Sequence, residues 1–367
     1  MENKEIINMR TFTILVAFFT VGTSILITPS GLAHEAKQDA WLACIAGIAA
    51  NLLLAYLYIV LGKRSGGLTL VQFSEHVLGK WIGKAVSLVF ILFFYLLASL
   101  MVGDLGYFLT SQILQETPIE VLQLLFILIV VVTVRSGFIV YTRAAVFFFP
   151  WMIALFLLLI LPLIPKVNVK QFLPVLEFGV KPIARGGFTF QGLQETVVLF
   201  MFYPYVHKLK GHWNGFISGV LIGGAILLAT TIGSIAVLGV SLTANQLFPA
   251  YTLAKTMSIG HFLERVEGIM ILIWVLSIFF KIVLTFHAAL SGLAQLANVK
   301  DEKPFVVPLA LGLVVLSLMC YPNTIYINEY LSKNWSPFSL IFTLLLPLLL
   351  LAASWFRGRA HGKSNAQ

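Results

Sequence analysis

Residues 11–30 read TFTILVAFFTVGTSILITPS. An apolar run long enough for a helix is interrupted by Gly22-Thr23-Ser24 and closed by Pro29. A helix in lipid satisfies its own backbone polar groups, so a glycine followed by two hydroxyl residues at its centre predicts backbone that meets something other than lipid. The pattern returns at residues 186–206, GGFTFQGLQETVVLFMFYPYV, where Gly192, Gln194, Glu195 and Thr196 lie in the middle of the run and Pro204 near its end. Glycine, serine and threonine also serve close packing of membrane helices, and for Gly22 to Ser24 alone that reading is equally open. Two polar centres in corresponding places, one carrying a carboxylate, favour a binding site at the membrane midplane. Transporters built from inverted five-span repeats break the first helix of each half there.

The rest of the chain supports a membrane location. Of 367 residues, 59% are hydrophobic and 11% charged, and the mean hydropathy is +0.95. Apolar runs of about 20 residues without alternation call for helices rather than a barrel. They place spans near 11–28, 40–62, 85–109, 118–134, 144–164, 186–206, 213–242, 268–296, 305–321 and 337–356, in a single membrane domain covering 1–367. A polar tail over 357–367 is expected to be disordered, and no signal peptide is expected at the N-terminus. With ten spans, about twice as many Lys and Arg fall on the side of the termini as on the other, which predicts cytoplasmic termini. The formal charge of +9 is thereby assigned to loops and not to a nucleic-acid partner. Between the second and third spans, Leu70, Phe73, Val77, Trp81 and Ile82 are spaced for a short interfacial helix. The connections 165–185 and 241–267 are long enough to act as lids.

Few ionisable groups lie inside the spans. Glu195 is the deepest carboxylate, and Lys281 sits half-way along the eighth span, where a buried ammonium needs a carboxylate or carbonyl partner. Glu195 is the candidate, for ligand binding or as structural glue. Asp104 and His287 lie nearer helix ends, where interfacial placement or a bond to a neighbouring helix suffices. Tyr95, at the centre of the third span, offers a hydroxyl to a ligand or to a broken-helix carbonyl. Cys44 and Cys320 are isolated in apolar runs, and the seven histidines are scattered. No metal, cofactor or enzymatic cluster is therefore expected.

The order of several short motifs resembles the B subunits of endospore germinant receptors, the spore germination permeases of the amino acid/polyamine/cation transporter superfamily. These are Val21-Gly22-Thr23-Ser24-Ile25 with Pro29, Gly79-Lys80-Trp81-Ile82-Gly83, Thr117-Pro118-Ile119, Phe172-Leu173-Pro174-Val175-Leu176, Lys181-Pro182-Ile183, and Glu264-Arg265-Val266-Glu267 with Trp274. The resemblance implies an all-α, LeuT-like fold of ten transmembrane helices in a five-plus-five inverted repeat, with helices 1 and 6 broken. It implies a location in the spore inner membrane, assembly with an A subunit and a C lipoprotein, and a small germinant, typically an amino acid. Carried onto this chain, it places ligand contacts at Gly22, Thr23, Ser24 and Ile25, at Gly192, Glu195 and Thr196, and at Ser277 and Lys281. The stretch from Glu195 to Pro204 is longer than the family's usual spacing. An active proton- or cation-coupled amino-acid transporter is the alternative on the same helices.

Overall fold

The computed structural model describes residues 6–206, 212–256, 266–320 and 334–364. Glu264, Arg265, His207, His261 and the last three residues lie outside these. The regular secondary structure of the described residues is helical apart from one short pairing, in which the Ile7 amide donates to the Tyr205 carbonyl at 2.8 Å.

Helix α1 spans Met9–Val21 and begins where the Asn8 side chain accepts the Thr11 amide at 2.8 Å. Helix α2 follows at Ser24–Ala36, then α3 (Ala40–Ser65), α4 (Leu70–Leu78), α5 (Lys80–Gln112), α6 (Ile119–Arg135) and α7 (Phe138–Ile160). The chain continues through α8 (Val180–Gly192), a 3-10 helix at Thr196–Tyr205, α9 (His212–Leu238), α10 (Val240–Asn245), α11 (Pro249–Lys255), α12 (Glu267–Leu296) and α13 (Lys303–Cys320). It closes with α14 (Ser336–Leu340), a π-helical turn at Ile341–Leu345, and α15 (Leu346–Ser364).

Seven helical stretches among the described residues are long and apolar enough to cross a membrane, and Met9–Val21 and Thr196–Tyr205 are shorter apolar helices. This count differs from the ten runs read in the sequence because two runs are divided and the fourth forms a single helix, α6, of only 17 residues. A 13-residue helix such as α1 or α2 rises only about 20 Å, short of the roughly 30 Å hydrocarbon layer. The run 186–206 is divided likewise, between α8 and the 3-10 helix. Two further differences are local. Helix α7 starts at Phe138, ahead of residue 144, because hydropathy locates apolar thickness whereas Gly137, at φ 96°, sets the helix start. Helix α15 runs to Ser364, so most of the tail expected to be disordered is helical.

Helix α1 packs on α9 and α12, α3 on α8 and α9, and α5 on α12 and α13. The α1–α9 contact rests on Gly215, Gly219 and Gly223, one helical turn apart. A methyl group on Gly219 would come within 2.7 Å of the Thr13 carbonyl, and one on Gly223 within 2.6 Å of Thr20 Cβ. These small residues let the backbones meet, as lipid supplies no hydrophobic drive between helices. Outward-facing Leu53, Leu125, Leu128, Phe147 and Trp151 are exposed, as a lipid-facing surface requires. Of the residues spaced for one short helix, Leu70, Phe73 and Val77 fall in α4, started by a reciprocal Thr69–Gln72 cap, whereas Trp81 and Ile82 lie beyond the Gly79 break in α5. The connection 165–179 is held down: Gln38 donates to the Pro174 carbonyl at 2.9 Å and to Glu177 at 2.7 Å, and the Asp39 carboxylate accepts the Leu176 amide.

Candidate functional site

The break between α1 and α2 is a local consequence of Gly22, whose φ of 21° and ψ of −122° no helix contains. Its amide still donates back to the Phe18 carbonyl at 2.8 Å, while its own carbonyl turns aside and accepts the Ser277 hydroxyl of α12 at 3.2 Å. The second break follows Gly192. There Leu193, Gln194 and Glu195 leave the helix before the 3-10 segment, so the Leu193 carbonyl is free for an outside donor.

That donor is Lys281. Its ammonium donates to Glu195 Oε2 at 3.0 Å, to the Thr23 hydroxyl at 3.3 Å and to the Leu193 carbonyl at 3.4 Å. All three ammonium protons are thus placed, and the ring of Phe19 lies 5.0 Å from the nitrogen. The second carboxylate oxygen, Oε1, accepts the Trp335 indole N–H at 3.1 Å. Lys281 is 1% exposed and Glu195 2%. One buried ion pair therefore ties together both helix breaks, α12 and the residue preceding α14.

Polar side chains continue outward from the pair. Gln194 donates to the Ser24 hydroxyl at 2.9 Å, Thr196 to Asn51 Oδ1 at 3.3 Å, and Gln191 to the Thr343 hydroxyl at 3.5 Å. Thr343 lies in the π-helical turn, whose carbonyl there accepts the Tyr58 hydroxyl at 2.6 Å. Asn51 Nδ2, Gln191 Oε1 and Gln194 Oε1 are buried without a hydrogen-bond partner. A buried amide group so placed costs about 1–3 kcal/mol unless something else meets it. These atoms flank the second break and leave donors and acceptors open to a small polar ligand.

Of the residues singled out in the sequence, Gly22, Thr23, Ser24, Glu195, Ser277 and Lys281 come together here, and Thr196, next to Glu195 in the chain, turns its hydroxyl to Asn51. Ile25 is fully buried in the first turn of α2. Gly192 lies against Ser336, with no room for a methyl group between them. Tyr95 does not join the site. Its hydroxyl donates to the Leu309 carbonyl of α13 at 2.8 Å, a helix–helix bond that satisfies the group. Replacing Tyr95 with Phe is accordingly expected to cost about 0.6 kcal/mol, the usual worth of a bond between membrane helices. Ligand titration should give an unchanged affinity. Trp335, Asn51 and Gln191 were missed, and Gln194 was noted only as part of the polar centre of its run. Gln191 and Gln194 sit in the quoted polar run, but the first two carry no such signal, being single polar groups in distant apolar segments.

The model of the family described as "Spore germination protein" matches residues 6–325. The chain is 28% identical to "Spore germination protein KB" of Bacillus subtilis (strain 168), over 99% of this chain and 98% of that protein. It is 25% identical to "Spore germination protein YndE" of the same organism, over 95% and 96% of the two. Among solved structures it is similar to MhsT in complex with L-phenylalanine, with a TM-score of 0.66 at 14% identity, covering 91% of this chain and 87% of that one.

Proposed function

The chain belongs to the spore germination protein family, and we propose that it is the B subunit of a germinant receptor, binding an amino acid between its two helix breaks. Membership makes it a multi-pass membrane permease or receptor and not an enzyme. On our reading, α1 with α2, and α8 with the 3-10 helix, each form one interrupted crossing. With α3, α5, α6, α7, α9, α12, α13 and the α14–α15 stretch they make ten crossings in two halves. The inner membrane of the spore is the proposed location, with cytoplasmic termini and with A and C subunits as partners. The likeness to MhsT in its complex with L-phenylalanine supports an amino-acid ligand.

The observation that carries the proposal is the position of the Lys281 ammonium. It occupies the Glu195 carboxylate, an unwound carbonyl and the Thr23 hydroxyl, the acceptors that the ammonium of an amino acid would need. The ligand carboxylate would meet the first amides of α2, at the positive end of that helix. The ligand ammonium would then exchange with Lys281 on Glu195. Such an exchange gives the ligand unequal affinity for two arrangements of the bundle, which is the condition for a binding event to signal. A fixed ammonium at this place also replaces the sodium ion of LeuT-like symporters.

The test is a binding titration of the purified protein against amino acids, nucleosides and sugars, with and without sodium. One amino acid is expected to bind irrespective of sodium. Glu195→Gln, which trades a charge-assisted bond for a neutral one, should weaken it about tenfold or more. Failure of every amino acid to bind, or full affinity in Glu195→Gln, would refute the reading. Uptake of the bound amino acid against a gradient in proteoliposomes would favour the coupled transporter instead.

A further inference from the structure

At the end of the bundle where the chain begins, a cavity of about 720 Å³ opens between the α6–α7 junction, the 3-10 helix, α12 and the start of α13. We propose that it binds a phosphate group carried on an apolar body, either a soluble organic phosphate or an anionic phospholipid. Its volume falls within the range of about 300–1,000 Å³ usual for small-molecule sites. The inference is independent of which ligand the helix breaks hold. His287, in the cavity wall, lies six residues beyond Lys281 along α12, a rise of about 9 Å.

The wall carries more positive charge than it uses. Arg135, Lys300 and Lys303 line the cavity and are exposed, and none of the three side chains has a hydrogen bond or ion pair among the described residues. The two carboxylates in the same wall are committed elsewhere. Glu302 Oε1 lies 2.9 Å from His287 Nε2, and its Oε2 accepts the Ser291 hydroxyl at 2.6 Å. Asp301 Oδ1 accepts the Lys303 amide at 3.1 Å, at the start of α13. The side-chain amides of the wall point the same way. Gln72 spends its carbonyl oxygen on the Thr69 amide at 3.2 Å, and Gln295 spends its own on the Thr69 hydroxyl at 2.5 Å. Their NH2 groups have no partner among the described residues. Gly137 also lines the cavity and begins α7 with no side chain over the first amides of that helix.

The unspent groups are therefore cations and N–H donors, the complement of a ligand with several anionic oxygens. A carboxylate offers two, a phosphate monoester three. The planar fork of Arg135 engages two of these at once, and each lysine supplies a point charge beside them.

Basic residues at the end of a membrane bundle commonly form no more than a solvated surface. Here they stand round an apolar floor. Phe138, Met201, Phe202 and Val306 line the same cavity at 1–4% exposure, and the rings of Phe138 and Phe202 stack at 5.2 Å between centroids. Val299, in the same wall, is 38% exposed. An inorganic anion would meet the donors and leave Val299 in water. A ligand with an apolar stem beneath its phosphate meets the donors and covers the apolar wall as well.

Saturation-transfer NMR of phenyl phosphate against the full-length protein in phosphatidylcholine nanodiscs tests the site. Saturable binding is expected, weakened about tenfold or more in Arg135→Gln/Lys300→Gln/Lys303→Gln. Should that variant unfold, Arg135→Gln alone should weaken binding about threefold or more. Benzoate, with one oxygen fewer, should bind less tightly than phenyl phosphate. Glu195→Gln should leave phenyl phosphate binding as it is, which keeps this test apart from that of the helix breaks. Phosphatidylglycerol in the nanodisc, at high salt to screen the disc surface, separates the two sources. Displacement of phenyl phosphate there identifies the lipid headgroup as the occupant, and undiminished binding a soluble ester. No saturable binding, unaltered binding in the charge-removed variants, benzoate binding as tight as that of phenyl phosphate, or an equal loss in Glu195→Gln would overturn the proposal.

Discussion

Lys281→Met is expected to destabilise the protein by about 3–5 kcal/mol, and adding Glu195→Gln to recover most of that loss. The single change leaves the Glu195 carboxylate with one bond, from Trp335, and no countercharge, at 2% exposure. Removing one member of a buried pair is costly for that reason, whereas removing both charges is often neutral. Glutamine keeps an acceptor for the Trp335 indole and needs no ammonium. Methionine fills most of the volume of the lysine stem, so packing around Phe19 is retained. Thermal unfolding of the single and double variants in nanodiscs measures both steps. A single variant as stable as the parent, or a double variant no better than the single, would show that the contact at 3.0 Å contributes little. The two steps also separate the roles left open by the sequence. If the pair is only structural glue, the recovered double variant should still bind ligand. If Glu195 takes the ligand ammonium, it should be stable and deaf.

How far the sequence reaches can be judged at particular residues. Glu195 and Lys281 were legible because a charge inside an apolar run has few tolerable fates, and two opposite charges in separate runs satisfy one another. Gly22 was legible because it interrupts a run that lipid requires to be continuous. Tyr95 was less legible for a complementary reason: a lone hydroxyl has many acceptable partners, and here a carbonyl of a packed helix takes it. Trp335 left no signal, as the indole N–H at the start of the last apolar run reads as an interfacial anchor. The 3-10 geometry of Thr196–Tyr205 and the π turn at Ile341–Leu345 were equally hidden. Both segments are almost wholly apolar, and a run that is apolar on every side carries no periodicity from which 3.0, 3.6 or wider turns could be told apart. Family membership was readable from the order of motifs, none of which specifies the chemistry of the site.

Gly22→Ala tests the first break more severely than any change of side-chain chemistry. The added methyl group would collide with Lys281 Cδ and would lie 3.0 Å from the Phe19 carbonyl and 3.3 Å from Lys281 Cβ. The backbone, at φ 21°, is a conformation that an L side chain resists at about 1–3 kcal/mol. The expected result is a clear fall in unfolding temperature together with a loss of ligand affinity of about tenfold or more, because the displaced lysine stem carries its ammonium off Glu195 and Thr23. Gly31→Ala is the control. It lies within α2, where its methyl would make an ordinary contact with Thr189 Cγ2 at 3.7 Å, and alanine favours a helix. That variant should be as stable as the parent or slightly more so. Backbone strain and side-chain collision can then be separated by repeating Gly22→Ala in the Lys281→Ala/Glu195→Gln background, which lacks the colliding carbon. Collision disappears there and strain persists, so the destabilisation should shrink without vanishing. An effect of the same size in both backgrounds would mean that Gly22 is required for its backbone alone, and that its approach to Lys281 does not position the ammonium.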